Sequence, residues 1–135
     1  MSTLEVIGLV IMLGVCGFTL LRGGSTERRA ALAVSFAWIA STVADMDWWT
    51  GVQWGILLID AALAVFLVWL STRSRRIWPA VAAAGVVLIV LTHIAFLTSA
   101  TMRQAGFFTV YYLWSYLVLG AVLWGGVTAP RRQTR

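Results

Sequence analysis

One uninterrupted apolar segment decides the fold: residues 78–100 read WPAVAAAGVVLIVLTHIAFLTSA. The segment contains no Asp, Glu, Lys or Arg, and its only ionisable side chain is that of His93. A helix advances about 1.5 Å per residue, so a segment of this length crosses the roughly 30 Å hydrocarbon core of a bilayer. The segment is therefore predicted to be a transmembrane helix.

Four more segments share this apolar character. They are residues 4–21, 30–44, 52–70 and 107–127, of which 30–44 is the shortest. Of the 135 residues, 61% are hydrophobic and 11% are charged. A soluble domain carries about a quarter charged residues, so lipid must cover most of this surface. The sequence predicts an all-α fold, a polytopic transmembrane bundle of about five helices.

The arginines predict how the bundle is oriented. All ten basic residues are arginines, and nine of them lie in alternate connections or in the tail: Arg22, Arg28, Arg29, Arg73, Arg75, Arg76, Arg131, Arg132 and Arg135. Because cytoplasmic connections are enriched in arginine, we expect the N-terminus outside and the C-terminus in the cytoplasm. Only Arg103 falls in a connection predicted to lie outside. Topology accounts for the positive charge, so nucleic-acid binding is not predicted.

These features predict the domain organisation and the compartment. Residues 1–128 are interpreted as a single transmembrane helical domain, and residues 129–135 as a basic cytoplasmic tail. The short connections indicate a multi-pass protein of a bacterial inner membrane. Its expected surroundings are the lipid bilayer and either further copies of the chain or other membrane subunits.

Most of the eight tryptophans lie near the ends of the predicted spans, because indole rings favour the boundary between hydrocarbon and water. Six are predicted to anchor the interfaces, at the outer side Trp48, Trp49 and Trp54, and at the inner side Trp69, Trp78 and Trp124. Trp38 and Trp114 fall at mid-depth and are expected to pack between helices.

Two ionisable side chains inside the predicted spans require an explanation, Asp60 and His93. A charge at the bilayer centre costs about 2.5–3.5 kcal/mol on insertion scales. Counting from the helix ends places both residues at the same depth in the outer half. Other polar residues predicted near this depth are Ser41, Thr42, Tyr112 and Ser115, and those predicted at the outer mouth are Asp45, Asp47 and Gln53. The hypothesis is a polar cavity that opens outward.

Several roles for Asp60 and His93 stay open. They could form a buried polar pair that only fixes helix packing. A carboxylate beside an imidazole could also exchange a proton near neutral pH. A metal could bind His93 with Asp60, Asp45 or Asp47, although one histidine without clustered cysteines is a weak ligand set. Axial ligation of haem or a chlorin by His93 is a further alternative, and the sequence identifies no cofactor.

The function predicted first is an accessory or structural subunit of a membrane assembly. Small residues four apart, Ala80 with Ala84 and Ala121 with Gly125, predict close helix packing. The alternative is an oligomeric carrier or channel for protons or a small cation, which would use the Asp/His pair. The second alternative is a small membrane enzyme or redox subunit with a metal or haem at His93. Because no hydrolase, nucleotide-binding or zinc-protease motif is present, an enzyme is not favoured.

Overall fold

The computed structural model describes residues 2–44, 54–99, 101 and 104–130, and over these residues the fold is all-helical, without strands. Five helices follow one another along the chain: α1 (Thr3–Arg22), α2 (Ser25–Ala44), α3 (Trp54–Arg73), α4 (Trp78–Thr98) and α5 (Gln104–Val127). The predicted all-α class with five helices is confirmed.

Local hydrogen bonding explains where these helices begin and end. α1 begins with a capping box, in which the Ser2 hydroxyl accepts from the Glu5 amide and the Ser2 amide donates to the Glu5 carboxylate. α1 ends where the Gly23 amide donates to the Thr19 carbonyl, and a Cβ at Gly23 would collide with the start of α2. Pro79 lies in the first turn of α4, where its missing N–H costs no helical bond.

α2 begins at Ser25, five residues before the apolar segment 30–44, so Arg28 and Arg29 belong to the helix itself. Their long side chains can reach the interface from within the first turns of a helix.

Four helices, α1, α3, α4 and α5, are long and apolar enough to cross a membrane, and the chain is accordingly a multi-pass membrane protein. α2 has a comparable length, but Glu27, Arg28 and Arg29 in its first turns make it more polar. Its outer surface nevertheless carries large apolar side chains at helical spacing: Leu32, Phe36, Ile39 and Val43. Membrane crossing by α2, like the orientation of the termini, stays a prediction.

Successive helices run antiparallel, and the last helix returns to the first. In α1 and α2, Gly8 lies beside Trp38 whereas Gly23 lies beside Glu27, which requires opposite directions. α5 also packs on α1, where the Thr19 hydroxyl donates to the Val122 carbonyl (3.5 Å). The helices therefore form a closed ring, in the order α1, α2, α3, α4, α5.

Glycines on α4 and α5 allow this ring to close tightly. A Cβ at Gly85 would lie 2.7 Å from Val118, and one at Gly125 would lie 2.5 Å from the Trp78 ring. Ala121 is buried like Gly125, so the pair predicted on α5 packs against other helices of the same chain. The pair predicted on α4, Ala80 and Ala84, is exposed and does not pack internally.

Six of the eight tryptophans lie within the described residues. Trp54, Trp69 and Trp124 are exposed near helix ends, and Trp38 and Trp114 are half-buried against the core. Trp78 differs from the prediction of an interface anchor, because it is only 1% exposed. The Trp78 ring packs into the space that Gly125 leaves by having no side chain, a contact that composition does not reveal. Trp48 and Trp49 lie outside the described residues.

Candidate functional site

The antiparallel helices α3 and α4 bring Asp60 and His93 together. Both side chains are buried, with 5% of each residue exposed. The His93 Nδ1 atom lies 3.9 Å from the Asp60 Oδ2 atom, within ion-pair range but too far for a hydrogen bond. The two residues predicted at equal depth are therefore neighbours without bonding directly.

The imidazole of His93 is held by its own helix. Its Nδ1 atom lies 3.1 Å from the Ile89 carbonyl oxygen, and a carbonyl can only accept, so Nδ1 carries the hydrogen of this bond. In the neutral ring, Nε2 is then a bare acceptor. Among the described residues, neither His93 Nε2 nor Asp60 Oδ2 has a hydrogen-bond partner, although both atoms are buried.

An aromatic wall from α5 surrounds the imidazole. The Phe107 ring lies edge-on to His93 with centroids 5.1 Å apart, and the Tyr111 ring does so at 5.6 Å. The Phe96 ring of α4 packs in turn on Phe107, at 4.8 Å. Sequence reasoning missed Phe107 and Tyr111. Their spacing of four, which continues to Ser115, would have placed all three on one face of α5.

The hydroxyl residues predicted around the pair are only partly brought to it. Ser115 is buried one turn from Tyr111, and its hydroxyl donates to the Tyr111 carbonyl (2.8 Å). Tyr112 is half-buried, with its ring edge-on to that of Tyr111. Thr42 is exposed on α2, and its hydroxyl donates to the Trp38 carbonyl, so it does not line a shared cavity.

The remaining predicted residues lie outside the described part of the chain. These are Asp45, Asp47 and Gln53, the residues proposed for the outer mouth. Within residues 2–44, 54–99, 101 and 104–130, no three metal-ligating side chains are grouped. The described residues thus offer a metal two ligands, Asp60 and His93. Metal and haem binding stay predictions.

The pair lies far from the arginine end of the bundle, which is formed by the α1–α2 and α3–α4 connections and the end of α5. Asp60 comes six residues after the start of α3, or about 9 Å, and thirteen residues before its end, or about 20 Å. Between the pair and the arginine end, the interior is filled by buried apolar side chains: Leu63, Leu67, Leu70, Val86, Val118 and Val122. Access for water is therefore far shorter from the end that lacks the arginine clusters.

A second polar cluster, which sequence reasoning also missed, ties the arginine end together. The Arg76 guanidinium pairs with the buried Glu27 carboxylate and donates to the Thr128 hydroxyl and the Gly125 carbonyl. Glu27 also accepts from the Gly24 amide (2.9 Å). One guanidinium thus joins both connections at this end to the end of α5. The available signal was that Glu27 is the only acid in the arginine-rich connections.

The chain matches no protein-family model, no curated protein and no solved structure.

Proposed function

We propose that this chain is a small multi-pass protein of the bacterial inner membrane in which Asp60 and His93 take up and release a proton. Exchange occurs through the end of the bundle opposite the arginines. One observation carries the proposal: the Asp60 Oδ2 and His93 Nε2 atoms are buried beside each other and have no hydrogen-bond partner among the residues that the structure describes.

A pair with a purely structural role would satisfy its own polar atoms. Here the Nδ1 hydrogen of His93 is used on the Ile89 carbonyl, and two acceptor atoms remain unsatisfied. Each such buried atom costs about 1–3 kcal/mol. Unsatisfied buried polar atoms in a native fold require an explanation, and a catalytic role or an exchangeable guest is one of those known.

The chemistry of the two atoms favours a proton over a metal. A carboxylate oxygen and the bare nitrogen of a neutral imidazole both offer lone pairs, so the guest must be a hydrogen-bond donor or a cation. A proton delivered by water meets this need with two groups, whereas zinc sites use three or four protein ligands. The proton comes from bulk water, resides on the carboxylate or the imidazole, and returns to bulk water.

The dry interior limits what one chain can do alone. Apolar side chains fill the roughly 20 Å between the pair and the arginine end, so a single chain offers no wet path across the membrane. We therefore propose a subunit that binds protons from one side, and assign any transmembrane movement to an assembly with further copies or other membrane subunits.

The single histidine of the chain makes a direct test possible. Nitrogen NMR of His93 in lipid nanodiscs should show its protonation state change as the pH is varied. Asp60→Asn should alter that titration curve. Thr92→Val is the matched control, since this hydroxyl adjoins His93 in sequence but bonds the Leu88 carbonyl, and it should leave the curve unchanged.

Two results would overturn the proposal. His93 signals that stay constant with pH, in folded protein and regardless of Asp60→Asn, would show that the pair does not exchange protons. Proton flux in proteoliposomes containing the chain alone as a monomer, lost in Asp60→Asn, would contradict exchange from one side only.

A second candidate, an accessory subunit without proton chemistry, is favoured by small residues on the outer surface. Gly14 and Gly17 on α1 face open space, and Ala80 and Ala84 on α4 are exposed. Such residues mark close helix contacts in lipid. In mild detergent the chain should migrate as a larger assembly that Gly14→Leu with Gly17→Leu dissociates. Gly106→Leu, at another open position, is the control, and a chain that migrates alone contradicts this candidate.

A further inference from the structure

The arginine end carries more positive charge than its acid neutralises. Its described connections and adjoining helix ends contain six arginines, Arg22, Arg28, Arg29, Arg73, Arg75 and Arg76, and one acid, Glu27. The acid is already paired with Arg76. Five guanidiniums are thus left without an ion pair within the described residues.

Two of these guanidiniums are held in place on aromatic rings. Arg22 lies over the Phe18 ring, 5.8 Å from its centroid, and Arg73 lies over the Trp69 ring at 5.4 Å. In both cases the arginine occupies the last turn of its helix and is exposed. A ring beneath a guanidinium reduces its freedom, so less entropy is lost when it binds an anion.

Two further arginines, Arg28 and Arg29, belong to the helix that lies between those of Arg22 and Arg73. α2 packs against both α1 and α3, and Arg28 and Arg29 lie near its beginning, at the same end as Arg22 and Arg73. The Arg28 Nε atom is buried and has no partner among the described residues. We call Arg22, Arg28, Arg29 and Arg73 the arginine arc.

We infer that the arginine arc binds the head-group phosphate of an anionic phospholipid, an interaction beyond the proposed proton site. Guanidinium groups match phosphate oxygens in paired hydrogen bonds. The lipid form of phosphate fits because apolar residues for its acyl chains adjoin the arc, with Leu21 and Trp69 exposed beside Arg22 and Arg73. Trp69 is also the residue type that lies at head-group level.

The test uses the whole chain in nanodiscs of equal parts phosphatidylcholine and phosphatidylglycerol. Native mass spectrometry after release should find phosphatidylglycerol retained in preference to phosphatidylcholine. Loss of one arginine of the arc should weaken retention about fivefold. Arg22→Gln with Arg73→Gln should therefore remove most of the preference. Both side chains are exposed, and circular dichroism checks that the variant remains helical.

The matched control is Arg75→Gln, which removes one exposed arginine from the same end but lies outside the arginine arc. It is compared with Arg73→Gln alone, which removes the same charge from a ring-held arginine. Arg75→Gln should lose clearly less preference than Arg73→Gln. Equal losses would show diffuse attraction and overturn the ring-held site. Displacement of the lipid by millimolar inorganic phosphate would show a site for free phosphate and overturn the lipid assignment.

Discussion

Replacing the buried pair by apolar side chains should make the protein more stable while it abolishes proton exchange. The variant is Asp60→Leu with His93→Phe. Leucine is close to aspartate in length, and a phenylalanine ring can keep the edge-on contacts that His93 makes with Phe107 and Tyr111. The two substitutions remove both unsatisfied acceptor atoms.

The expected gain follows from those two atoms. Each unsatisfied buried group costs about 1–3 kcal/mol, so together they destabilise the fold by roughly 2–6 kcal/mol. Part of this is lost again to imperfect packing of the new side chains. Replacements of buried ionic groups by apolar ones stabilise proteins by about 1–4 kcal/mol, and we expect a gain in that range.

Stability is measured by reversible unfolding in mixed micelles of mild detergent and dodecyl sulfate, followed by circular dichroism. Ser115→Ala is the control, because its buried hydroxyl is already satisfied by the Tyr111 carbonyl. Ser115→Ala should lower the free energy of unfolding by about 0.5–1.5 kcal/mol, whereas the double variant should raise it. A double variant that loses 1 kcal/mol or more would refute the reasoning, because Asp60 and His93 would then hold α3 and α4 together.

Three further predictions concern the rest of the bundle. Gly125→Ala should lose about 1–3 kcal/mol of stability in the same assay, because the new Cβ would meet the buried indole of Trp78. Gly120→Ala on the same helix should not lose stability, because its Cβ would meet nothing. Equal effects of the two variants would refute this packing. Glu27→Gln should increase amide hydrogen exchange at the arginine end, and unchanged exchange there would deny the cluster a structural role. Cysteines at positions 25 and 74, in a background where the native cysteine is serine, should both react only with thiol reagents applied from the cytoplasmic side; labelling on opposite sides would refute the topology.

The sequence predicts much of the fold because lipid imposes simple rules. Apolar length locates the helices, and counting 1.5 Å per residue from their ends placed Asp60 at the same depth as His93. Thr42 was counted to a similar depth, but depth does not say which way a side chain faces, and it lies on the outer surface.

Contacts between residues far apart in the sequence were missed because composition and depth do not show which way a side chain faces. Trp78 was expected at the interface because most tryptophans prefer it, but its position depends on the missing side chain of Gly125, which is 47 residues away. The aromatic wall of Phe107 and Tyr111 likewise depends on how α5 is rotated against α4. The rotation of a helix is set by its packing against neighbouring helices. That packing depends on contacts between residues far apart in the sequence, which a single sequence does not reveal.

The ring of helices can close only after α5, the last helix, has been synthesised. The bond from Thr19 to Val122 joins residues 103 positions apart, so the first helix leaves the ribosome long before its final neighbour exists. Chains fold from the N-terminus as they emerge. Until α5 is inserted, Trp78 lacks the helix whose Gly125 lies against its ring, so a chain truncated before residue 104 would leave that ring uncovered.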